Sequence, residues 1–461
     1  MTGTTKKTDL WTPYVPSFAA PWDLRRVVHL HRAAGFAAPW PELQRDLKEG
    51  PAASIDRLLR GNSRNPEEAE RFESTAAKLA EAAVIARDPG RLKAWWVYRM
   101  LFSPDPLGER LTLMWHDHFA TSNLKVDDLA AMRRQNDLFR QHSRARFGQL
   151  LRHVVHDPAL LIWLDAPANR KGHPNENLAR ELMELFTLGV GHYTEADIKQ
   201  AARALTGLAI VERSFRDDPC GHDDGEKVIL GRAGRWGGDQ LVGILLDHPA
   251  TAFRLADRIV RLLLGEVADD GPRISALADG LRRHDLDIGW AVETVLRSET
   301  FFAESSMGRR VLAPAEYVVG AARALELLDP PPSTLYLADW ISRMGQDLFY
   351  PPNVGGWAGG RGWLTSRSVV ARANFAVALV EGDGVGRSEA FDASALTERY
   401  GRGGDRDDLT AFFCELLLGD GQTPAWRRHL ADGPAMKGLP GPEASRRIVS
   451  LILTSTRGQL A

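Results

Sequence analysis

Residues 173–208 carry two consecutive helix signatures with their own start and stop signals, and no other stretch constrains the fold as much. The segment opens at Gly172-His173-Pro174, where proline fixes one backbone angle and suits the first turn of a helix. Over 175–188 the apolar residues recur with helical period. Leu178, Leu182 and Leu185 fall on one side, with Ala179, Met183 and Phe186 beside them. Glu176, Asn177, Arg180, Glu181 and Glu184 fill the other half. Gly189 and Gly191 then end the helix, as glycine after the last periodic residue does. Thr194-Glu195-Ala196-Asp197 reads as a capping box, with Asp where Glu or Gln is usual, and opens the second helix.

The same rhythm extends along most of the chain, so the expected fold class is mainly α: a multi-helical globular array with a small β-hairpin insertion near 208–231. Residues 1–20 read as an extended arm and 21–381 as a helical core. A Gly/Asp-rich linker is expected at 382–407, followed by C-terminal helices at 408–461 packed on the core. Trp95-Trp96-Val97-Tyr98 is too aromatic for a surface helix and is assigned to the interior. The periodicity breaks after Gly207. There 208–215 and 227–231 read as two short strands flanking the polar loop DDPCGHDDGE.

Composition removes several function classes. With 58 basic and 60 acidic residues the formal charge is −2, so no global field recruits nucleic acid or an anionic membrane. No apolar run approaches about 18 residues, which argues against a membrane span. The two lysines near the N-terminus have no apolar segment behind them, so no secretory signal is seen and a cytoplasmic location is expected. Cys220 and Cys414 are far apart and form no CxxC pair, leaving a disulfide or zinc-finger framework unsupported. HExxH, GxGxxG after a strand, GxxxxGK[ST] and GxSxG are all absent.

Four separated motifs stand out: WHDHFATS at 115–122, NENLARELMELFTLG at 175–189, HDDGEKVILG at 222–231 and PPNVGGWAGGRGWLTSRSVVARANFA at 351–376. Together they resemble one bacterial family, that of domain of unknown function 1800. The similarity runs from about Asp23 to about Ala378, with an extension to the C-terminus left open. The family brings no established activity. The resemblance implies export for many members, a trait this chain does not share at its N-terminus, and gene neighbours that are sulfatase- or phosphatase-like.

The motif residues allow two readings. In the first the chain is a hydrolase or lyase acting on a glycan or glycan conjugate. Glu181 is then the acid/base and Glu176 the second carboxylate, because paired carboxylates can divide proton donation and acceptance at a glycosidic bond. His118 assists, and Arg180, Asn177, Trp115, His222, Asp224, Lys227, Trp357 and Trp363 contact substrate. The plain alternative for Glu176, Arg180 and Glu184 is a solvated face laced with i,i+4 pairs. His118 with His173, His222 and Asp224 could gather a metal if tertiary structure joined them, but spacing alone names no metal or cofactor. His116 and His118 lie two apart and point to different sides of a helix. His222-Asp223-Asp224-Gly225-Glu226 lacks the alternation of an EF-hand and suffices as a turn. In the second reading the same polar residues form a structural network in a non-catalytic binding or assembly module that acts with a sulfatase- or phosphatase-like partner.

Overall fold

The computed structural model describes residues 10–61, 66–266 and 270–461, so residues 1–9 of the expected arm lie outside the described residues. Among the described residues the fold is mainly α, with two small antiparallel sheets. Sequence-local chemistry sets most helix starts. Asp23, Asp88, Asp128, Asp157 and Asp287 accept first-turn amides, which satisfies donors that have no partner within the helix. Proline occupies the first turn at Pro106, Pro249 and Pro314, where a missing N–H costs nothing.

The chain forms two compact units, each woven from separated stretches. The described residues of the first come from Met1–Val15, Leu111–Ala303 and Phe349–Gly356. Its core is aromatic: Trp115, Phe119, Phe139, Phe147 and Phe186 are fully or almost fully buried, and Phe119 meets Phe186 edge-on at 5.1 Å. The helix predicted over 175–188 is present but changes character midway. Asn177–Glu181 is α-helical and Leu182–Thr187 is a π-helix, in which the Leu188 amide donates to Met183 five residues back at 2.8 Å. Gly189 and Gly191 follow with φ of +85° and +91°, and the capping box at Thr194 and Asp197 opens the helix Glu195–Ala204 as expected.

The β-insertion differs from the expected pairing. The two predicted strands do not pair with one another; each belongs to a separate hairpin. Strand β1 (Leu208–Val211) pairs with β2 (Ser214–Asp217), and β3 (Lys227–Ile229) with β4 (Arg232–Gly234). Both reversals are two-residue turns with positive φ at each central position: Glu212 and Arg213 at 48° and 61°, Leu230 and Gly231 at 49° and 76°. Glu-Arg and Leu-Gly lack the Asn-Gly or Asp-Gly signature of such turns, so the strand read over 208–215 concealed its own reversal. Gly207 is required where the first hairpin leaves its helix. Its φ is +88°, and a Cβ there would sit 2.6 Å from the Asp218 carbonyl.

The second unit comprises Pro16–Arg110, Glu304–Leu348 and Trp357–Ala461. Trp95 and Trp96 are buried in it, as their neighbourhood predicts. The Gly/Asp-rich stretch 382–407 contains the helix Ala393–Arg399, and its Gly384 carbonyl accepts the Trp340 indole N–H at 2.9 Å. A buried ionic triad sits in this unit. Glu316 accepts from Arg110 and, at 2.6 Å, from Arg310, while also accepting the Ala313 amide at its own helix start. Burial pulls Arg110 down to about 10, so its charge depends on this partner.

A lone buried charge is far more costly than a buried pair. Glu316→Leu, which strands two guanidinium groups, is expected to remove about 3–5 kcal/mol of stability. Urea unfolding of the variant measures this, and a loss under about 1 kcal/mol would show that the triad holds nothing together.

Candidate functional site

The site grows from a donor shortage at the end of the π-helix. The last carbonyls of any helix lack intrahelical donors. Here the buried His118 donates from Nε2 to the Phe186 carbonyl at 3.0 Å, and Arg254 Nε donates to the Leu185 carbonyl at 2.5 Å. Thr187 closes a third, its hydroxyl donating to the Leu182 carbonyl at 2.7 Å. His118 is enclosed by Trp115, Phe119, Phe147 and Phe186, and burial, with Arg258 and Arg254 nearby, holds its imidazole well below the ordinary histidine range. It is a neutral donor with the proton on Nε2. One helical turn away, Arg258 donates to Asp117 at 2.6 Å. Asp117 in turn has Gly356 against it. At φ +86°, a Cβ on Gly356 would collide with the Asp117 carboxylate and lie 2.7 Å from its carbonyl oxygen. Three of the four motifs therefore meet in one packed cluster.

The polar face of the same helix carries the predicted carboxylates. Glu176 accepts from Arg180 at 3.0 Å, and Arg180 makes two further 2.8 Å bonds to Glu195. Asn177 donates to Asp165 at 3.2 Å. Glu184 accepts the Tyr193 hydroxyl at 2.6 Å, and burial together with this carboxylate pushes the phenol up to about 12. Glu181 differs from all of these. It is half-buried and, among the described residues, has no hydrogen-bond or ion-pair partner. Desolvation first, then the Glu184 charge, raises its pKa against a weaker pull from Arg180.

The remaining predicted residues lie elsewhere. Trp115 is fully buried, its indole bonded to the Ser143 carbonyl at 3.1 Å. His222 Nδ1 donates to the Thr206 carbonyl at 2.8 Å. Asp224 is 3.7 Å from Lys171, and the buried Lys227 donates to the Gly225 and Asp223 carbonyls inside its own loop. Asp223, tied twice to Arg203, is held down at about 2. Trp357 and Trp363 are buried within the second unit. Among the described residues no three His, Cys, Asp or Glu side chains come together as a metal site requires. The convergence of His118, His173, His222 and Asp224 is not found there.

With this geometry in place, the model of the family described as Protein of unknown function (DUF1800) matches residues 29–460. The chain belongs to this family. No curated protein and no solved structure matches it. Several residues that shape the DUF1800 site escape sequence reasoning. Arg254 and Arg258 carried one usable signal, an i,i+4 arginine pair on the helix Pro249–Leu264. Tyr193 stands one residue before the capping box, and nothing local announces its bond to Glu184. Asn169 ties the start of the 175–189 motif to the helix Glu195–Ala204: its side chain receives the Asn175 amide at 2.9 Å and donates to the Ala202 carbonyl at 2.8 Å.

Two outcomes follow for this DUF1800 chain. Gly356→Ala is expected to cost at least about 2 kcal/mol, because it adds left-handed strain to a clash with Asp117. A melting curve within a degree of the parent would contradict that packing. Because its folded-state pKa is raised, Glu181 keeps its proton where the unfolded chain has lost it. Stability therefore falls as pH rises from the ordinary carboxylate range through the raised value, and levels off above it. Glu181→Gln should flatten that part of the melting temperature against pH profile, and superimposable profiles would refute the assignment.

Proposed function

We propose that this chain is an acid–base hydrolase or lyase acting on a glycan or glycan conjugate, with Glu181 as the proton-transferring group. One observation carries the reading. Of the polar residues on the helix face that holds them, Glu176, Asn177, Arg180 and Glu184 are engaged with partners, and Glu181 alone is not. A partly desolvated carboxylate with a raised pKa and no structural bond is suited to donate and recover a proton. Glu176, the second carboxylate of the sequence reading, is neutralised by Arg180. Glu184 is the better complement: three residues on, it repels the ionised form of Glu181 and is oriented by Tyr193. In this scheme Glu181 protonates the departing oxygen as the glycosidic bond breaks, the Glu184 charge supports the positive character that develops on the sugar, and a water molecule adds to the sugar carbon and returns a proton to Glu181.

A structural-module reading has its own support in the number of motif polar groups that are tied to neighbouring groups of the chain, among them Asn177, Arg180, Glu184, Asp117 and His222. In that reading the helix face would serve assembly with a sulfatase- or phosphatase-like partner. The two readings separate in one experiment. The parent and Glu181→Gln are incubated with a panel of neutral, acidic and amino-sugar oligosaccharides, and new reducing ends and unsaturated uronates are assayed. The acid–base reading expects turnover of at least one glycan, reduced about 100-fold or more in Glu181→Gln with an unchanged or raised melting temperature. Turnover that survives the substitution undamaged would sink the role of Glu181. A fall of several degrees in melting temperature would favour the structural module.

A further inference from the structure

Within the first unit, the loop that follows the π-helix borders an open cleft of ≈ 440 Å³. That volume falls in the range of about 300–1,000 Å³ typical of small-molecule sites. Leu188, Ala250, Phe253 and Ala278 give it an apolar lining, and Phe253 is 44% exposed, so its ring offers apolar surface to the cleft. Polar groups enter from two sides. His192 and His248 stand with ring centroids 5.8 Å apart, and Arg282 reaches in from the helix Gly271–Arg283. Among the described residues Arg282 has no carboxylate partner, although Asp279 also lines the cleft one turn away.

His248 has a defined proton position. Its Nδ1 accepts the Ala250 amide at 3.2 Å as the helix cap, so the neutral ring carries its hydrogen on Nε2. Burial, then His192 and Arg232, lower its pKa and keep it in that neutral donor form. The cleft thus combines an apolar bed, an imidazole N–H donor and a guanidinium.

We propose that this cleft binds a small monocarboxylate with an apolar or aryl body, its carboxylate held by Arg282 and His248 and its body lying on Phe253 and Leu188. This site is separate from the Glu181 face and does not depend on the acid–base reading. The test is isothermal titration of the full chain with 4-phenylbutyrate, 4-phenylbutanol and 4-phenylbutylamine. Two exposed lining positions are varied: Arg282→Gln, which removes the cation, and Ser275→Trp, which fills the cleft. Near-ultraviolet circular dichroism checks that both variants fold. The acid is expected to bind saturably and more tightly than the alcohol, with Arg282→Gln weakening it roughly tenfold and leaving the alcohol unchanged. Ser275→Trp should abolish both, and Glu181→Gln should bind like the parent. Absence of saturable binding by the acid, equal or tighter binding of the amine, or indifference to both Arg282→Gln and Ser275→Trp would each overturn the proposal.

Discussion

The donation of His118 and Arg254 to the carbonyls of Phe186 and Leu185 is the constraint around which the first unit is arranged. A π-turn forms one hydrogen bond fewer than the α-turn it replaces, so it persists only where side chains supply what the backbone has lost. Both donors come from distant segments. Holding them requires an aromatic shell about His118 and an ion pair between Arg258, one turn beyond Arg254, and Asp117, the residue before His118. It also requires a glycine at 356, because any side chain there would occupy the space of Asp117. The motif residues in these segments are thereby explained as parts of one mechanical assembly whose product is the widened helix.

Widening has a consequence for the outer face. Inserting one residue into a turn shifts every following side chain around the axis relative to an α-helix. Glu184 is consequently turned toward Tyr193. Glu181 stands where the α-segment ends and the π-segment begins, and no neighbouring donor is aimed at it. A carboxylate left partly desolvated and unbonded on an otherwise paired face is a departure from local stability. Such departures persist at functional positions more often than elsewhere.

Helix existence was legible because it is written locally. The capping box at Thr194, the stops at Gly189 and Gly191, and the apolar period of 175–188 all act within a few residues of where they are read. Two kinds of feature were not. The π-turn depends on donors some seventy residues away, at His118 and Arg254, and Leu182–Thr187 has nothing in its own composition to separate it from an α-helix. The hairpin turn at Glu212-Arg213 adopts left-handed backbone with residues that do not advertise it, so pairing with the adjacent segment imposes the geometry. Of the site, the helix face bearing Glu176, Arg180, Glu181 and Glu184 could be read from spacing. Which of its carboxylates is committed to a partner could not, because Tyr193 and Glu195 approach from the next helix and its lead-in.

The histidines show how tertiary context divides residues that a sequence presents as equals. His118, His173 and His222 read from sequence as residues that could gather a ligand, with His116 two positions before the first. Two of them spend the relevant nitrogen on a backbone carbonyl, and His116 meets Asn136 at 2.9 Å within the core. His192 and His248 had no motif to recommend them, yet both line an open cleft. A histidine in a well-marked helical motif tends to be absorbed by the packing that made the motif recognisable. A histidine in a loop between helices remains available to solvent and solutes. For this chain the chemistry is therefore to be sought at the edges of its most recognisable segment, at Glu181 and beyond Leu188, and not among the buried side chains that hold it together.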